Sequence, residues 1–306
     1  MARGEGLNRE HLVVKEMLAG SIAGGLADGL MYPMMTVKSR IQVQGSGSSG
    51  STGALYMYGG PLHAIRDIAT KEGLRTFYKG SATILVGVSS TALYMTTYQT
   101  IKRHLPGGED SPVVQFGGGM FATSVSSIVA VPVEVIRQRQ MVQSACAGAY
   151  MGSIHTAKSI FQQEGLRAFY RGYLLNQMLC VPFNAVFMPL WEASKRACAQ
   201  LSGAESVEKL ELQYELGSAF FPSALAAALT NPMDVIKTRL QVQGKSNVYS
   251  RTQYSGAWDA AKEIYKYEGI AGFSSGLTSR MMWVAPSVMI CFTTFDQIMK
   301  WVTPDT

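Results

Sequence analysis

Charged side chains are scarce in this sequence. Asp, Glu, Lys and Arg make up 16% of the 306 residues, against roughly 25% in an ordinary soluble domain. Apolar residues reach 47%, and the 31 glycines suit membrane helices, whose backbones approach closely at small residues. The shortage of charge therefore argues against a soluble domain. The net charge of +6 suits a surface that faces anionic lipid or anionic solutes, without discriminating between them.

Cysteines and catalytic patterns are equally sparse. The four cysteines are Cys146, Cys180, Cys198 and Cys291. They show no close pairing, so neither a disulfide framework nor a Cys-x-x-Cys metal site is supported. No nucleophile with a neighbouring base and no metal-ligand spacing emerges. We therefore expect no catalytic residues, no metal site and no cofactor, and we do not expect an enzyme.

A charged motif recurs at a fixed spacing. Pro33, Pro132 and Pro232 are 99 and 100 residues apart. An acid stands two residues after the second and third prolines, and a base stands five residues after all three. These charged residues are Lys38, Glu134, Arg137, Asp234 and Lys237. Fixed-period self-similarity indicates a repeat architecture, so we divide the single domain, residues 1–306, into repeats 12–108, 109–204 and 205–306.

Each repeat contains the signals of three helices. In repeat one, the apolar segment from Met17 to Met35 has about the 20 residues that a membrane-spanning helix needs. A short amphipathic run then ends at Glu72-Gly73, and residues 77–80 open a second apolar segment. The sequence therefore predicts an all-α membrane protein. Its six transmembrane helices come from three tandem repeats of about 100 residues and form a pseudo-threefold bundle around a central cavity.

Polar residues inside these spans favour the central cavity. Asp28, Gln42 and Arg280 would be costly against lipid, because a charge at the bilayer centre costs at least ~2.5–3.5 kcal/mol. This cost is avoided where the residues face a shared, water-filled cavity. Six such helices suit a transporter better than a membrane anchor.

The motifs together resemble those of the mitochondrial carrier family. The resemblance rests on the Pro-x-acid-x-x-base motifs, the Glu-Gly turns and the glycines that open the second long helices, and it extends from Leu18 to about Lys300. It implies transport of a small solute across the mitochondrial inner membrane by a multi-pass monomer, through alternating access and without a nucleic-acid partner. Another organelle, such as a plastid, stays open. So does a carrier-fold scaffold that no longer cycles.

The resemblance also implies a gate on the matrix side. In this family the prolines, here Pro33, Pro132 and Pro232, kink the first long helix of each repeat. Beyond them, acids and bases of neighbouring repeats pair when that side closes, since opposite charges attract strongly once water is excluded. The implied pairs are Glu134–Lys237 and Asp234–Lys38.

The third pair of this gate is irregular. Arg137 would look for an acid at position 35 and finds Met35. Either the pair is missing, or Met35 packs in an apolar gate and Arg137 pairs elsewhere. The glutamines that brace such pairs in the family are kept as Gln42 and Gln241, whereas repeat two has Met141.

A second gate, on the cytoplasmic side, is implied at the ends of the second long helices. There the resemblance predicts an ion pair between Asp296 and Lys102. Gln99 can form a hydrogen bond with Lys195, while Glu192 meets no base at the matching position of repeat three.

Contacts with the solute are implied on the second long helices and at one position of the first. The implied residues are Asp28, Val86 or Gly87, Leu179 with its neighbour Cys180, and Trp283 together with Arg280 one turn before it. No arginine stands at any of the three points on the second helices. That argues against nucleotides, keto acids and other polyanions, which carriers hold with Arg or Lys.

Two branches of the family match the motifs best. Asp28 and the Arg280-x-x-Trp283 pattern are similar to S-adenosylmethionine carriers, and a cationic sulfonium suits one carboxylate and a tryptophan face. Mitoferrins share residues 31–33, Met-Tyr-Pro, and apolar contact points near Cys180 suit a transition metal such as iron. We favour S-adenosylmethionine or a related cationic solute, with iron as the alternative.

Glycines before the short helices and the second long helices imply a lipid site. They are Gly60, Gly80, Gly152, Gly172, Gly256 and Gly276. Free backbone N–H groups at helix starts bind phosphate, and in this family they hold cardiolipin between repeats. Lys79 and Arg171 add positive charge beside two of these starts, whereas Ser275 does not.

Overall fold

The computed structural model describes residues 2–44, 58–104, 112–143, 152–202, 212–244 and 254–302. They form α-helices and two short 3-10 helices, Leu74–Tyr78 and Leu166–Tyr170, and no strand occurs among these residues. The α-helices are α1 (Ala2–Val43), α2 (Pro61–Lys71), α3 (Thr83–His104), α4 (Pro112–Val142), α5 (Ser153–Glu164), α6 (Tyr173–Ser202), α7 (Leu212–Leu229), α8 (Asn231–Val242), α9 (Ala257–Phe273) and α10 (Leu277–Val302).

The long helices form a closed ring. α1 packs against α3, α3 against α4, α4 against α6, α6 against α7, and α7 against α10, which returns to α1. Each repeat thus supplies a first helix (α1, α4 or the α7–α8 pair) and a second helix (α3, α6 or α10) that are neighbours in the ring. The predicted helical architecture of three repeats is therefore present.

The short helices α2, α5 and α9 each pack against the first helix of their own repeat. In repeat one, Val37 and Ile41 of α1 form a buried cluster with Ile68 of α2 and with Phe77. Repeats two and three have equivalent clusters. The apolar stripe of each short helix therefore attaches it to one end of the ring.

The Glu-Gly turns occur in all three repeats, as predicted. Gly73, Gly165 and Gly269 have φ values of 84°, 75° and 65°. Glycine adopts this left-handed region without the steric cost that a Cβ atom brings. The turn ends α2 and α5 and interrupts α9 at Gly269.

The three prolines differ in their effect on the first helices. Pro33 and Pro132 lie inside the continuous helices α1 and α4. At Pro232 the helix is interrupted, because Thr230 leaves helical geometry with φ −92° and ψ 1° and separates α7 from α8. Proline lacks the N–H that would continue the hydrogen-bond ladder. In repeat three the expected kink thus takes the form of a helix break.

Three buried arginines, one in each repeat, attach the short helices to the ring. Arg40, Arg139 and Arg239 follow the base of the motif by two residues, and their side chains are at most 3% exposed. Each guanidinium forms a two-pronged ion pair with the glutamate of its own Glu-Gly turn. The pairs are Arg40–Glu72, Arg139–Glu164 and Arg239–Glu268. Such planar pairs combine charge with a defined orientation.

The same arginines connect neighbouring repeats in a circle. Arg40 donates hydrogen bonds to the carbonyl oxygens of Met141 and Gln143, at 2.9 and 3.0 Å. These carbonyls lie at the end of α4, where helix geometry leaves them without an intrahelical donor and where positive charge is favourable. The corresponding acceptors are Gln241 and Gln243 for Arg139, and Gln42 and Gln44 for Arg239. We call these three arginines the clamp arginines.

An apolar plug lies at the same end of the ring. Val43, Val142 and Val242, one from each repeat, form a buried cluster and are at most 2% exposed. The clamp arginines hold the helix ends that carry these valines. This end of the ring is therefore closed.

Hydropathy alone detects few of the long helices. Among the described residues, two stretches are both long and apolar enough to cross a membrane, Gly117–Val142 and Leu166–Ser202. A shorter apolar helix is Leu216–Leu229. Polar and charged side chains that face neighbouring helices lower the mean hydropathy of the other long helices.

We expect Glu164→Gln to lower the melting temperature strongly. The change leaves Arg139 buried without its counter-charge, and breaking such a buried pair costs about 3–5 kcal/mol. Thermal unfolding of the purified protein in detergent measures the effect. Asp67→Asn is the control, because Asp67 pairs with Lys71 on an exposed helix face and such pairs contribute little. Equal losses in the two variants would contradict the clamp.

The same carboxylate should make stability depend on acid pH. Burial raises the pKa of Glu164, but hydrogen bonds and charges from Arg139 and Arg171 outweigh it and hold the pKa below the ordinary 4.5. A carboxyl whose pKa is lower in the folded than in the unfolded protein stabilises the fold at pH values above its ordinary pKa. This stabilisation is lost as the pH falls through the pKa of the folded state. Melting temperatures should therefore fall less steeply below pH 4.5 in Glu164→Gln than in the wild type. Parallel curves would show that Glu164 does not carry this dependence.

Candidate functional site

A cavity of about 270 Å³ lies between α1, α4, α6, α8 and α10. Its wall combines the charges of the Pro-x-acid-x-x-base motif with side chains of two second helices. The lining residues are Met35, Lys38, Ser39, Glu134, Arg137, Gln138, Leu179, Phe183, Asp234, Lys237, Arg280, Trp283, Val284, Ser287 and Val288. Of the predicted solute contacts, Leu179, Arg280 and Trp283 belong to this wall. Asp28, Val86, Gly87 and Cys180 are not among the lining residues.

Two ion pairs cross between repeats at the closed end of this cavity. Lys38 Nζ lies 2.6 Å from Asp234 Oδ2, and Lys237 Nζ lies 2.8 Å from Glu134 Oε1. The four side chains are between 6% and 18% exposed. Both pairs are those that the sequence predicted. Their formation means that the ring is closed at the end where the first helices finish.

The two bracing glutamines differ. Gln42 donates from Nε2 to Asp234 Oδ2 at 2.8 Å, and its Oε1 accepts from Thr238 at 2.8 Å. Gln241 lies beside Glu134, yet neither of its buried amide atoms has a well-formed hydrogen bond within the described part of the chain. Gln42 therefore braces its pair as predicted, and Gln241 lies at the matching place beside the Glu134–Lys237 pair.

Arg137 finds its acid on α1, two turns from the expected position. Its Nη1 lies 3.3 Å from Asp28 Oδ2. Met35 is 5% exposed and packs in a cluster with Tyr32 and Met141. The second of the two alternatives drawn from the sequence is therefore the correct one. Asp28 is seven residues before Met35, about two helical turns away on the same face, and the long arginine side chain reaches it.

The Asp28–Arg137 pair is more accessible than the other two pairs. The side chain of Arg137 is 19% exposed and that of Asp28 is 35% exposed. The contact of 3.3 Å is also longer than the 2.6 and 2.8 Å of the gate pairs. Longer and better hydrated ion pairs contribute less, so this pair is the easiest of the three to exchange for another partner.

Arg280, on α10, reaches the break between α7 and α8, which form the first helix of repeat three. Its Nη2 donates to Thr230 Oγ1 at 2.8 Å, and its Nη1 lies 3.6 Å from Asp234 Oδ2. Asp234 is thus shared between Lys38 and Arg280. Asp28 and Arg280, which would be costly against lipid, thus both have partners on other helices.

Asn176 on α6 is a site residue that the sequence analysis missed. Its Oδ1 accepts a hydrogen bond of 2.7 Å from Lys237 Nζ, the base of a gate pair. A positional signal was present, because Asn176 stands four residues after Gly172, as Arg280 stands four residues after Gly276. The equivalent residue of repeat one, Ile84, packs against the cluster that contains Met35. This position therefore contacts the gate in every repeat.

The predicted cytoplasmic gate is described in part. The side chains of Gln99, Lys102 and Asp296 lie outside those that the structure describes. Glu192 lies 3.7 Å from Arg196 of its own helix, and both are exposed. Lys195 Nζ lies 3.8 Å from the ring centre of Trp191. These two residues thus have partners on α6.

Comparison with known proteins gives a consistent result. The family model described as "Mitochondrial carrier protein" matches residues 9–109, 108–201 and 208–306. "Mitochondrial substrate carrier family protein E" of Dictyostelium discoideum is 33% identical over 303 residues, 95% of this chain and 97% of that protein. "Mitoferrin" of the same organism is 30% identical, covering 92% and 91%. "Mitochondrial basic amino acids transporter" of Rattus norvegicus is 30% identical, covering 94% and 89%.

The fold and the site together define a class. A ring of helices built from three repeats, with ion pairs at the closed end of a cavity lined by both charged and apolar side chains, is the architecture of a solute transporter. The chain belongs to the mitochondrial carrier family. Members of this family are transporters and not enzymes.

We expect Met35→Asp to lower the melting temperature, because the new carboxylate enters the apolar cluster of Tyr32 and Met141 while Arg137 is already held by Asp28. A buried polar group without a partner costs about 1–3 kcal/mol. Met35→Leu, which keeps volume and polarity, is the control and should melt close to the wild type. A melting temperature above wild type for Met35→Asp would mean that Arg137 prefers an acid at position 35.

Proposed function

We propose that this protein carries S-adenosylmethionine or a related cationic solute across the mitochondrial inner membrane by alternating access. In this proposal all six long helices span the membrane, and the cavity is open to the solute on the side opposite the clamp arginines. The observation that carries the proposal is the exchangeable Asp28–Arg137 pair. A single acid, held by one long contact of 3.3 Å, offers a place for a cationic group.

The solute would enter by replacing Arg137 as the partner of Asp28. Trp283 lines the cavity together with Arg137, and its ring face can hold a second part of a cation, since aromatic faces attract positive charge. Lys38 Nζ lies 5.9 Å from the centre of this ring, so the face accommodates positive charge in the protein itself. The rat relative named for basic amino acids supports a cationic solute of this kind.

Alternating access then follows from the ion pairs. The gate pairs Lys38–Asp234 and Glu134–Lys237 hold the closed end together. A solute that binds Asp28 releases the guanidinium of Arg137, which lies on the same helix as Glu134. Solute binding can shift the balance between the closed and the open state of the gate only if the solute binds one of these states better. The guanidinium of Arg137, once released beside the gate, makes the two states differ in this way.

Iron is the alternative cargo, because a relative of 30% identity is named a mitoferrin. Among the described residues no three His, Cys, Asp or Glu side chains come together to hold a metal ion. A scaffold that no longer cycles is the second alternative, because the sequence leaves Arg137 and Glu192 without the expected gate partners. This reason is weaker now that Arg137 is seen to pair with Asp28.

Uptake into liposomes separates these three functions. The purified protein is reconstituted, and the entry of radiolabelled S-adenosylmethionine, lysine and ferrous iron is measured in parallel. We expect uptake of the organic cations and not of iron. Uptake of iron alone would establish the mitoferrin-like function, and no uptake of any of these solutes would favour the scaffold.

Two single variants should change affinity in opposite directions. Asp28→Asn should weaken binding of the cationic solute about 10- to 100-fold, the range expected from losing a charged hydrogen bond. Arg137→Gln should strengthen it by up to about fivefold, because the solute no longer competes with Arg137 for Asp28. Both affinities are read from ligand-induced shifts of the melting temperature.

The double variant Asp28→Asn, Arg137→Gln completes the test. In the proposed mechanism it binds the solute as weakly as Asp28→Asn alone. If the pair is only structural, both single variants lose stability, the double variant recovers it, and affinity does not change. That second pattern would remove Asp28 from the solute site.

We also propose a cardiolipin site between repeats two and three. A pocket of about 420 Å³ lies where α6 and α9 begin, and its lining includes Gly172, Leu175 and Gly256. Backbone N–H groups at such helix starts favour phosphate. Arg171 also lines the pocket, but its Nη1 is bound to Glu164 at 2.6 Å, so its charge is shared.

Cardiolipin should raise the melting temperature of the detergent-solubilised protein, because a ligand that binds only the folded state stabilises it. Phosphatidylcholine at the same acyl-chain concentration is the control and should have a smaller effect. Equal shifts from both lipids would argue against a site that is specific for the anionic headgroup of cardiolipin.

A further inference from the structure

The charges around the cavity do not balance. Asp234, Glu134 and Asp28 are matched by Lys38, Lys237 and Arg137, at 2.6, 2.8 and 3.3 Å. Within the described part of the chain, the cavity wall holds one further cation, Arg280. Its contact with Asp234 is the longest of the set, at 3.6 Å, and that acid already has a closer partner. One positive charge therefore remains in excess beside the cavity.

Unused hydrogen-bond donors lie at the same place. Arg280 is 3% exposed, and among the described residues its Nε and Nη1 have no hydrogen-bond acceptor. Trp283 stands one turn further along α10, and its buried Nε1 also lacks an acceptor there. Residues three apart on a helix lie on the same face, and both line the cavity. Leaving buried donors unpaired is costly, the more so for a charged group.

We propose that Arg280 and Trp283 form a subsite for a single carboxylate of the solute. A guanidinium presents paired N–H groups that match the two oxygens of a carboxylate, and the indole N–H can add a third donor. A carboxylate carries the one negative charge that offsets the excess, whereas a phosphate monoester carries nearly two at neutral pH. The inference rests on the proposed function. It narrows the cationic solute to an amino acid whose cationic group goes to Asp28 and whose carboxylate goes to Arg280.

Matched ligands test this subsite directly. S-adenosylmethionine and its decarboxylated analogue differ only in the carboxylate, as do lysine and 1,5-diaminopentane. Each is titrated against the purified full-length protein in detergent, and affinity is read from the shift of the melting temperature. We expect the wild type to favour the carboxylate-bearing member of a pair by about 10- to 100-fold.

The Arg280→Gln variant should lose this preference, while its affinity for the decarboxylated member changes little. Arg280→Lys keeps the charge without the planar fork and should retain part of the preference. Trp283→Phe removes one donor, keeps the aromatic face, and should reduce the preference even if Arg280→Gln does not fold. Arg137→Gln is the matched control on the opposite wall, and it should keep the preference for the carboxylate.

The outcomes separate the two proposals. If Arg280 only supports Thr230 and Asp234, its variants lose stability but keep the full preference, and the subsite is wrong. A wild type that binds both members of a pair equally also overturns the subsite but leaves a cation carrier in place. A wild type that binds neither member of either pair overturns both. A preference for phosphate monoesters over the matching carboxylates would assign the same donors to phosphate and contradict the carboxylate.

Discussion

Buried charge is the constraint on which this structure depends. A charge removed from water between packed helices is costly unless an opposite charge or hydrogen bonds offset it. The clamp arginines meet this requirement with a glutamate of their own repeat and two carbonyl oxygens of the next one. Because Arg239, the clamp arginine of repeat three, donates a hydrogen bond to α1, these contacts join the three repeats into a circle. The valine plug and the gate pairs lie at the end that this circle closes.

The repeats are alike where they build the ring and differ where they line the cavity. The clamp arginines, the Glu-Gly turns and the plug valines occur in every repeat. Asp28 has Ser127 and Ala227 as its counterparts, and Arg280 has Ile84 and Asn176. A solute without threefold symmetry requires such differences. The asymmetric residues are therefore the ones to examine for specificity.

One position on each second helix contacts the residues of the gate. Four residues after their opening glycines stand Ile84, Asn176 and Arg280. Ile84 packs against the apolar cluster of Met35, Asn176 bonds Lys237, and Arg280 approaches Asp234. The chemistry of each residue follows that of the gate element it contacts. In the proposed mechanism a solute held by α10 lies one side chain away from an ion pair that must separate when the gate opens.

The sequence by itself determined the repeats and the turns, because these follow from periodic spacing and from short-range backbone preferences, and its resemblance to the mitochondrial carrier family implied the two complete gate pairs. Glycine at the turns and the acids and bases after the prolines could be recognised without knowing their neighbours. Only the tertiary structure decided that Arg137 pairs with Asp28 and that Arg280 reaches Thr230. Asp28 stands about two helical turns, roughly 11 Å along the axis, from position 35, and the spacing of the motif does not tell which of these two positions Arg137 meets. Its partner therefore depends on how the helices pack across the ring, which spacing along the chain does not specify.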